Sequence, residues 1–368
     1  MSVDQGDIDE GVRANAGRLL ARGAGDDVSA DRRLAAAIDD LGLPDAWRLS
    51  ERTRALVHEN FAGQCGLIER ALRQGTSRLL AERGAGELAL AVEQRGSSVH
   101  TTLAAAGMLA DRGLMREMIG RARQAALADT LVTAAPEGAD RPSLIVRLVE
   151  HPDPAVANLA SALMVAEAKR RDGLAKPQHS DLPAECHHQL VWAAAAVLRA
   201  ELSPRPWTEQ ARIDAALSDA ALGVLAEHDE GERLEAVAMR LAVALAPPAT
   251  ELGALLVEAL CDRRVALAIA LLAQALGLDY DIVRDVLLDP VPDRLWLALR
   301  AAGLARPAIA RIGLALADSE PARDLEAFAD QLPAILAIPP ADARAALAPL
   351  ALHPDFRASL VRLARALA

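Results

Sequence analysis

The sequence predicts an all-α protein: an N-terminal helical bundle followed by degenerate helical repeats stacked as a solenoid or superhelix. Three observations carry that expectation. Aromatic residues make up only 2% of 368 residues, so Ala, Leu and Val must supply nearly all of a core drawn from a 52% hydrophobic composition. Ala and Leu are the strongest apolar helix formers, whereas strands favour β-branched and aromatic side chains. Few segments alternate with a period of two, and apolar residues recur three and four apart.

The length suits roughly two ordinary domains or one elongated array of smaller units. Breakers punctuate it at 41–45 (LGLPD), 135–143 (APEGADRPS), 171–183 (RDGLAKPQHSDLP), 202–207 (LSPRPW), 246–250 (APPAT), 288–293 (LDPVPD) and 338–342 (IPPAD), leaving segments sized for one or two helices. The 135–143 stretch, where Pro, Gly and charge cluster without apolar periodicity, marks the expected boundary. The organisation read from it is a partly ordered segment 1–30, a helical domain 31–135 and a repeat region 142–368.

Within the repeat region four stretches share one plan: VEHPDPAVANLASALM from Val149, ALCDRRVALAIALLAQAL from Ala259, LLDPVPDRLWLALRAAGL from Leu287 and LALHPDFRASLVRLARAL from Leu350. Each places an apolar residue and an Asp-containing turn before an amphipathic helix. Asp153, Asp262, Asp289 and Asp355 are therefore expected to accept hydrogen bonds from the free backbone N–H groups at these turns and helix starts. Single units of this kind cannot bury their apolar faces alone, so they stack. HPDPAVANLA and HPDFRASLVRLA resemble HEAT-type repeat helices. Together with LSERTRALVHENFAGQCGLIERALRQ, DLPAECHHQLVWAAAAVLRAEL and LAQALGLDYDIVRDVLLDPVPDRLWLALRAAGL, they resemble an alphaproteobacterial domain-of-unknown-function family (number 2336) from about residue 30 onward. The resemblance implies helical repeats and brings no established chemistry.

Charge and cysteine usage exclude several classes. Forty basic against 51 acidic residues give a net charge of −11, and no Lys/Arg stripe carries interleaved aromatics, so nucleic acid is not the expected partner. Arg116, Arg121 and Arg123 form a short basic cluster read as a solvated helix face. Cys65, Cys186 and Cys261 are far apart and form no CxxC pair, which argues against a disulfide framework or zinc knuckle. The start MSVDQGDIDEG lacks the order of a signal peptide, and LVWAAAAVL and VALAIALLA are far shorter than the roughly 20 residues that span a bilayer. A cytoplasmic protein that does not enter a membrane is expected.

AECHHQLVWAAAAVL, residues 184–198, raises the sharpest chemical question. At about 100° per residue, Leu190, Val191, Ala194, Val197 and Leu198 form one apolar face; His187 falls inside it and His188 on its flank near Trp192 and Arg199. The expectation is a packed, hydrogen-bonded His187 beside a partly exposed His188. The alternative is histidine phosphotransfer with His188 as phosphoacceptor, although Gln189, Trp192 and Ala193 depart from the acid and Thr/Asn-Pro pattern of kinase dimerisation helices. Adjacent helical residues diverge by about 100° and no HxxxH is present, so Cys186, His187 and His188 imply no metal site. Asp281, Asp285 and Asp289 are four apart and read as caps and a solvated face near Arg284, with Asp279 just before them. RGAGDD and RGAGEL match no phosphate-binding loop, and no GxSxG elbow or triad appears. No cofactor and no catalytic residue are implied. The expected role is a non-enzymatic scaffold or regulatory adaptor binding a protein with a basic or mixed-charge surface, with phosphotransfer at His188 or a small-molecule sensor holding an inter-helix pocket as alternatives.

Overall fold

A computed structural model describes residues 13, 15–20, 34–35, 38, 49–94, 98–131, 142–171, 180–203, 205–319 and 323–367. Every regular element among these residues is helical, as the Ala/Leu-rich composition predicts. Most of segment 1–30 and most of the 135–143 and 171–183 breakers lie outside the described residues.

The chain forms two compact units that interleave in sequence: one comprises residues 1–36, 123–164 and 237–368, the other residues 37–122 and 165–236. Of the expected boundary at 135–143, only residues 142 and 143 are described.

In the second unit, α1 (Glu51–Glu82) is the long central element, followed by α2 (Gly86–Glu93) and α3 (Val99–Ala105). Ser50 caps α1 by accepting the Thr53 N–H. Val57, Phe61, Cys65, Ile68, Leu72, Thr76 and Leu80 recur three or four apart and are buried, the single wide stripe of an amphipathic helix. Gly84, at φ +73°, ends α1 as the Ala85 N–H bonds back to the Leu80 carbonyl. Helix α4 (Arg112–Thr130) and helix α6 (Pro154–Arg171) each pass from one unit into the other, and α5 (Leu144–Val149) lies between them in sequence. Helices α7 (Ala184–Glu201) and α8 (Trp207–Ala226) then pack on α1 and on each other. Gly75 lies at the α1–α8 crossing, where a Cβ would stand 3.1 Å from the Ala220 Cβ, a contact that α8 could accept only by giving a few tenths of an ångström.

Helix α9 (Leu234–Leu245) leads into the rest of the first unit: α10 (Ala249–Cys261), α11 (Val265–Leu276), α12 (Tyr280–Leu287), α13 (Asp293–Ala301), α14 (Arg306–Ser319), α15 (Leu325–Ala337), α16 (Pro340–Leu347) and α17 (Pro354–Leu367). The VALAIALLA run is the core helix α11, with every residue from Val265 to Ala273 buried, as expected of a helix apolar all round. Trp296 and Phe328 stack at 4.7 Å. Gly313 makes room for that ring, since a Cβ there would fall 2.1 Å from Phe328.

The aspartates predicted as caps divide in their roles. Asp153 accepts the Ala155 N–H at the start of α6, as the repeat pattern predicts. Asp262 instead follows the end of α10 and accepts the Leu144 N–H, so it caps α5, which is remote in sequence. Asp289 accepts the Val291 N–H in a turn beyond the end of α12. It therefore does not continue a helical face with Asp281 and Asp285, both of which flank the buried Arg284 on α12. Asp355 lies in the first turn of α17, where its own N–H bonds to His353 Nδ1.

Candidate functional site

Helix α7 places the two histidines on different sides, as its apolar wheel requires. Leu190, Val191, Ala194, Val197 and Leu198 are all buried, and His187 joins them at 3% exposure. His188 is exposed, and its Nε2 accepts the Trp192 indole N–H at 3.2 Å. The hydrogen bonding expected of His187 is reduced to a weak approach to the Val224 backbone, too poorly aligned to count as a regular bond, and among the described residues the ring nitrogens of His187 and His228 make no other hydrogen bond. The two rings stack instead, with centroids 4.3 Å apart and planes inclined by 22°. His228 lies just beyond the end of α8, and nothing in the local sequence of α7 signals that contact.

The stacked pair lines a small cavity of about 30 Å³ with Leu67, Ile68 and Ala71 of α1, Ser180, Val224 and Glu227. That volume suits one or two water molecules rather than a metabolite. An imidazole lone pair lies in its ring plane, so two nearly parallel rings cannot both aim at one ion at about 2 Å. Among the described residues no group of three His, Cys, Asp or Glu side chains is arranged to hold a metal. Burial, joined by the neighbouring His228, pushes His187 down to about 4, so the ring is neutral near pH 7. Burial also raises the Cys65 thiol to about 12 and the Cys186 thiol to about 11, which removes thiolate reactivity from both.

Beside the cavity lies a charge cluster that sequence reasoning missed. Ser180 donates to Gln64 at 2.8 Å, and Gln64 donates to Asp181 at 3.1 Å. Asp181 accepts from Arg121 at 2.6 Å and from two nitrogens of Arg170 at 2.9 and 2.6 Å. Arg170 also grips Glu235 with two bonds of 2.6 and 2.9 Å, and Arg121 bonds Glu117 at 2.6 Å. Arg233 donates to the Asp181 carbonyl and stands 3.5 Å from both Glu117 and Glu235. Three guanidinium groups thus face three carboxylates.

Arg121, read from the sequence as part of a solvated basic face, is 5% exposed. The i, i+4 spacing of Glu117 and Arg121 was a visible sign of pairing, whereas Asp181 and Glu235 come from distant sequence. Burial raises Asp181 and Glu235, but Arg121 and Arg170 outweigh it and hold both carboxyls below their usual range. Burial lowers Arg121 and Arg170, and the surrounding carboxylates reverse that effect. Such a locked, charge-balanced cluster orients helices; its groups are committed to one another and free neither as acid nor as base.

No single helix among the described residues is long and apolar enough to cross a membrane. Exposed apolar side chains concentrate elsewhere. On α17, Phe356, Leu360 and Leu363 are 54%, 41% and 57% exposed at i, i+4, i+7, while Val361 turns inward. On α8, Trp207 and Leu222 are 85% and 56% exposed.

No curated protein and no solved structure matches the chain. A family model described as an uncharacterised protein conserved in bacteria (DUF2336) matches residues 122–348, more than half of the sequence, from within α4 to the end of α16. The chain therefore belongs to this uncharacterised bacterial family.

Proposed function

We propose that this protein is a non-enzymatic cytoplasmic scaffold or regulatory adaptor whose stacked, HEAT-like helices present apolar side chains to a protein partner. The exposed row on α17 carries the reading. Phe356, Leu360 and Leu363 stand one and two helical turns apart, the spacing by which an amphipathic helix enters a groove on another protein. Exposing three large apolar side chains in one row has a solvation cost that burial against a partner removes. Arg357, Arg362 and Arg365 against Asp355 make this helix locally basic in a chain of net charge −11, so a partner of mixed charge fits best.

The test is parallel capture from native extract by the unaltered chain and by Phe356→Asp/Leu363→Asp, with crosslink sites mapped. A protein recovered by the first, crosslinked near α17 and lost from the second is the expected result. Turnover of a substrate by the isolated chain, or equal recovery by both chains, would overturn the proposal.

A further inference from the structure

The outward face of α8 carries a regular row of small and apolar side chains. Its inward face, Ile213, Ala216, Leu217, Ala220 and Ala221, is buried in the packing with α1 and α7. On the opposite side, Thr208, Ala211, Ala215, Ser218, Leu222 and Leu225 alternate by three and four residues, the seam of a helix–helix pair. Leu225 is half-buried and the other five are exposed. Trp207 flanks this seam at one end, 85% exposed, and Ala226 flanks it at the other.

The seam is complementary to itself when reversed. With Ala215 set against Ser218 of an antiparallel second copy, the same register sets Ala211 against Leu222, Thr208 against Leu225 and Trp207 against Ala226. Each large side chain then meets a small one, and the small pair sits at the two-fold axis, where two backbones approach most closely. Charge follows the same register. Arg212 and Asp219 lie along one edge of the seam, seven residues apart, and the antiparallel copy brings each Arg212 opposite Asp219 of the other chain. Arg212 is exposed and has no ion-pair partner among the described residues, whereas Asp219 already holds Arg83 in an exposed pair. On the other edge, Asp214 is neutralised by Arg199 at 2.8 Å.

We infer that the occupant of this face is a second copy of the chain, joined by antiparallel pairing of α8 with α8. A 20-residue helix offers a strip about 30 Å long and one helix wide, roughly half the area per partner of a standard stable interface. The dimer is therefore reversible and concentration-dependent. This inference is separate from the partner face on α17 and stands or falls without it.

The test is sedimentation of the full chain over roughly 1 to 100 µM, with thermal melts to verify that each variant is folded. The unaltered chain is expected to shift from monomer to dimer across that range. Ala215→Arg, which places two charges at the axis, should weaken dimerisation at least tenfold. Arg212→Asp and Asp219→Arg should each weaken it, and the double exchange should restore part of the loss. In a Cys261→Ser background, chains carrying Ala211→Cys mixed with chains carrying Leu222→Cys should form the mixed disulfide in preference to either like pair. A chain that stays monomeric at the highest concentration, a dimer indifferent to Ala215→Arg, or a preference for the Ala211→Cys like pair would overturn the inference.

Discussion

Lowering the pH from 7.5 to 5 should destabilise the second unit through His187 alone by about 2 kcal/mol. In the fold this ring is 3% exposed, makes no regular hydrogen bond among the described residues beyond a weak approach to the Val224 backbone, and stacks on a second imidazole. Burial therefore holds it at about 4, against an ordinary value of 6.5 in the unfolded chain. Between these values the unfolded chain takes up a proton that the folded chain refuses, so stability falls as pH falls. The contribution is fully present above about pH 6.5 and lost progressively down to about pH 4. At about 1.4 kcal/mol per tenfold difference in proton affinity, the whole window amounts to about 3 kcal/mol, of which about 2 is lost by pH 5.

Urea unfolding of the unaltered chain and of His187→Leu, at pH 7.5 and pH 5, isolates this effect from the other titrating groups. His187→Leu retains similar volume and removes two buried nitrogens that make no regular hydrogen bond among the described residues, so it should cost less than about 1.5 kcal/mol at pH 7.5. It should also flatten the pH dependence by about 2 kcal/mol relative to the unaltered chain. Identical slopes for the two proteins would show that His187 is solvated or partnered, and would refute the reasoning.

Three further outcomes follow from particular contacts. Asp181→Ala leaves Arg121 and Arg170 facing each other without their shared carboxylate, and should cost about 3 to 5 kcal/mol in denaturant unfolding; a loss below about 1 kcal/mol would mean the cluster is wet. Gly313→Ala drives a methyl group into the Phe328 ring and should cost at least about 1 to 3 kcal/mol, with a change in tryptophan emission as Trp296 loses its stacking partner; unchanged stability and emission would contradict that packing. With acetyl phosphate, His188 should take up no acid-labile label, because its Nε2 lone pair is engaged by the Trp192 indole. A stable label lost in His188→Gln would establish the phosphotransfer reading instead.

Helix type was legible because it is a local property. Ala/Leu composition and three-four periodicity identified α11 and the apolar face of α7, and the same wheel separated buried His187 from exposed His188. What failed depended on residues far apart in sequence. His187 is covered by stacking on His228, 41 positions later, a contact its own helix does not signal. Arg121 is buried because Asp181 and Asp181's other partner, Arg170, close over it. Asp262 caps a helix 118 residues earlier, where the local pattern assigned it to the helix that follows. Periodicity reports which side of a helix is apolar. It does not report which remote element will neutralise a charge or cover a ring.

The most direct measurement of the central claim is photo-crosslinking in living cells from a benzoylphenylalanine placed at Leu360, in the middle of the exposed α17 row, with the same probe at exposed Leu314 on α14 as control. The adaptor reading predicts a discrete protein adduct from position 360 that is weak or absent from position 314 and is lost when Phe356→Asp is added. No adduct from position 360, or an adduct pattern shared with position 314 and unaffected by Phe356→Asp, would contradict it.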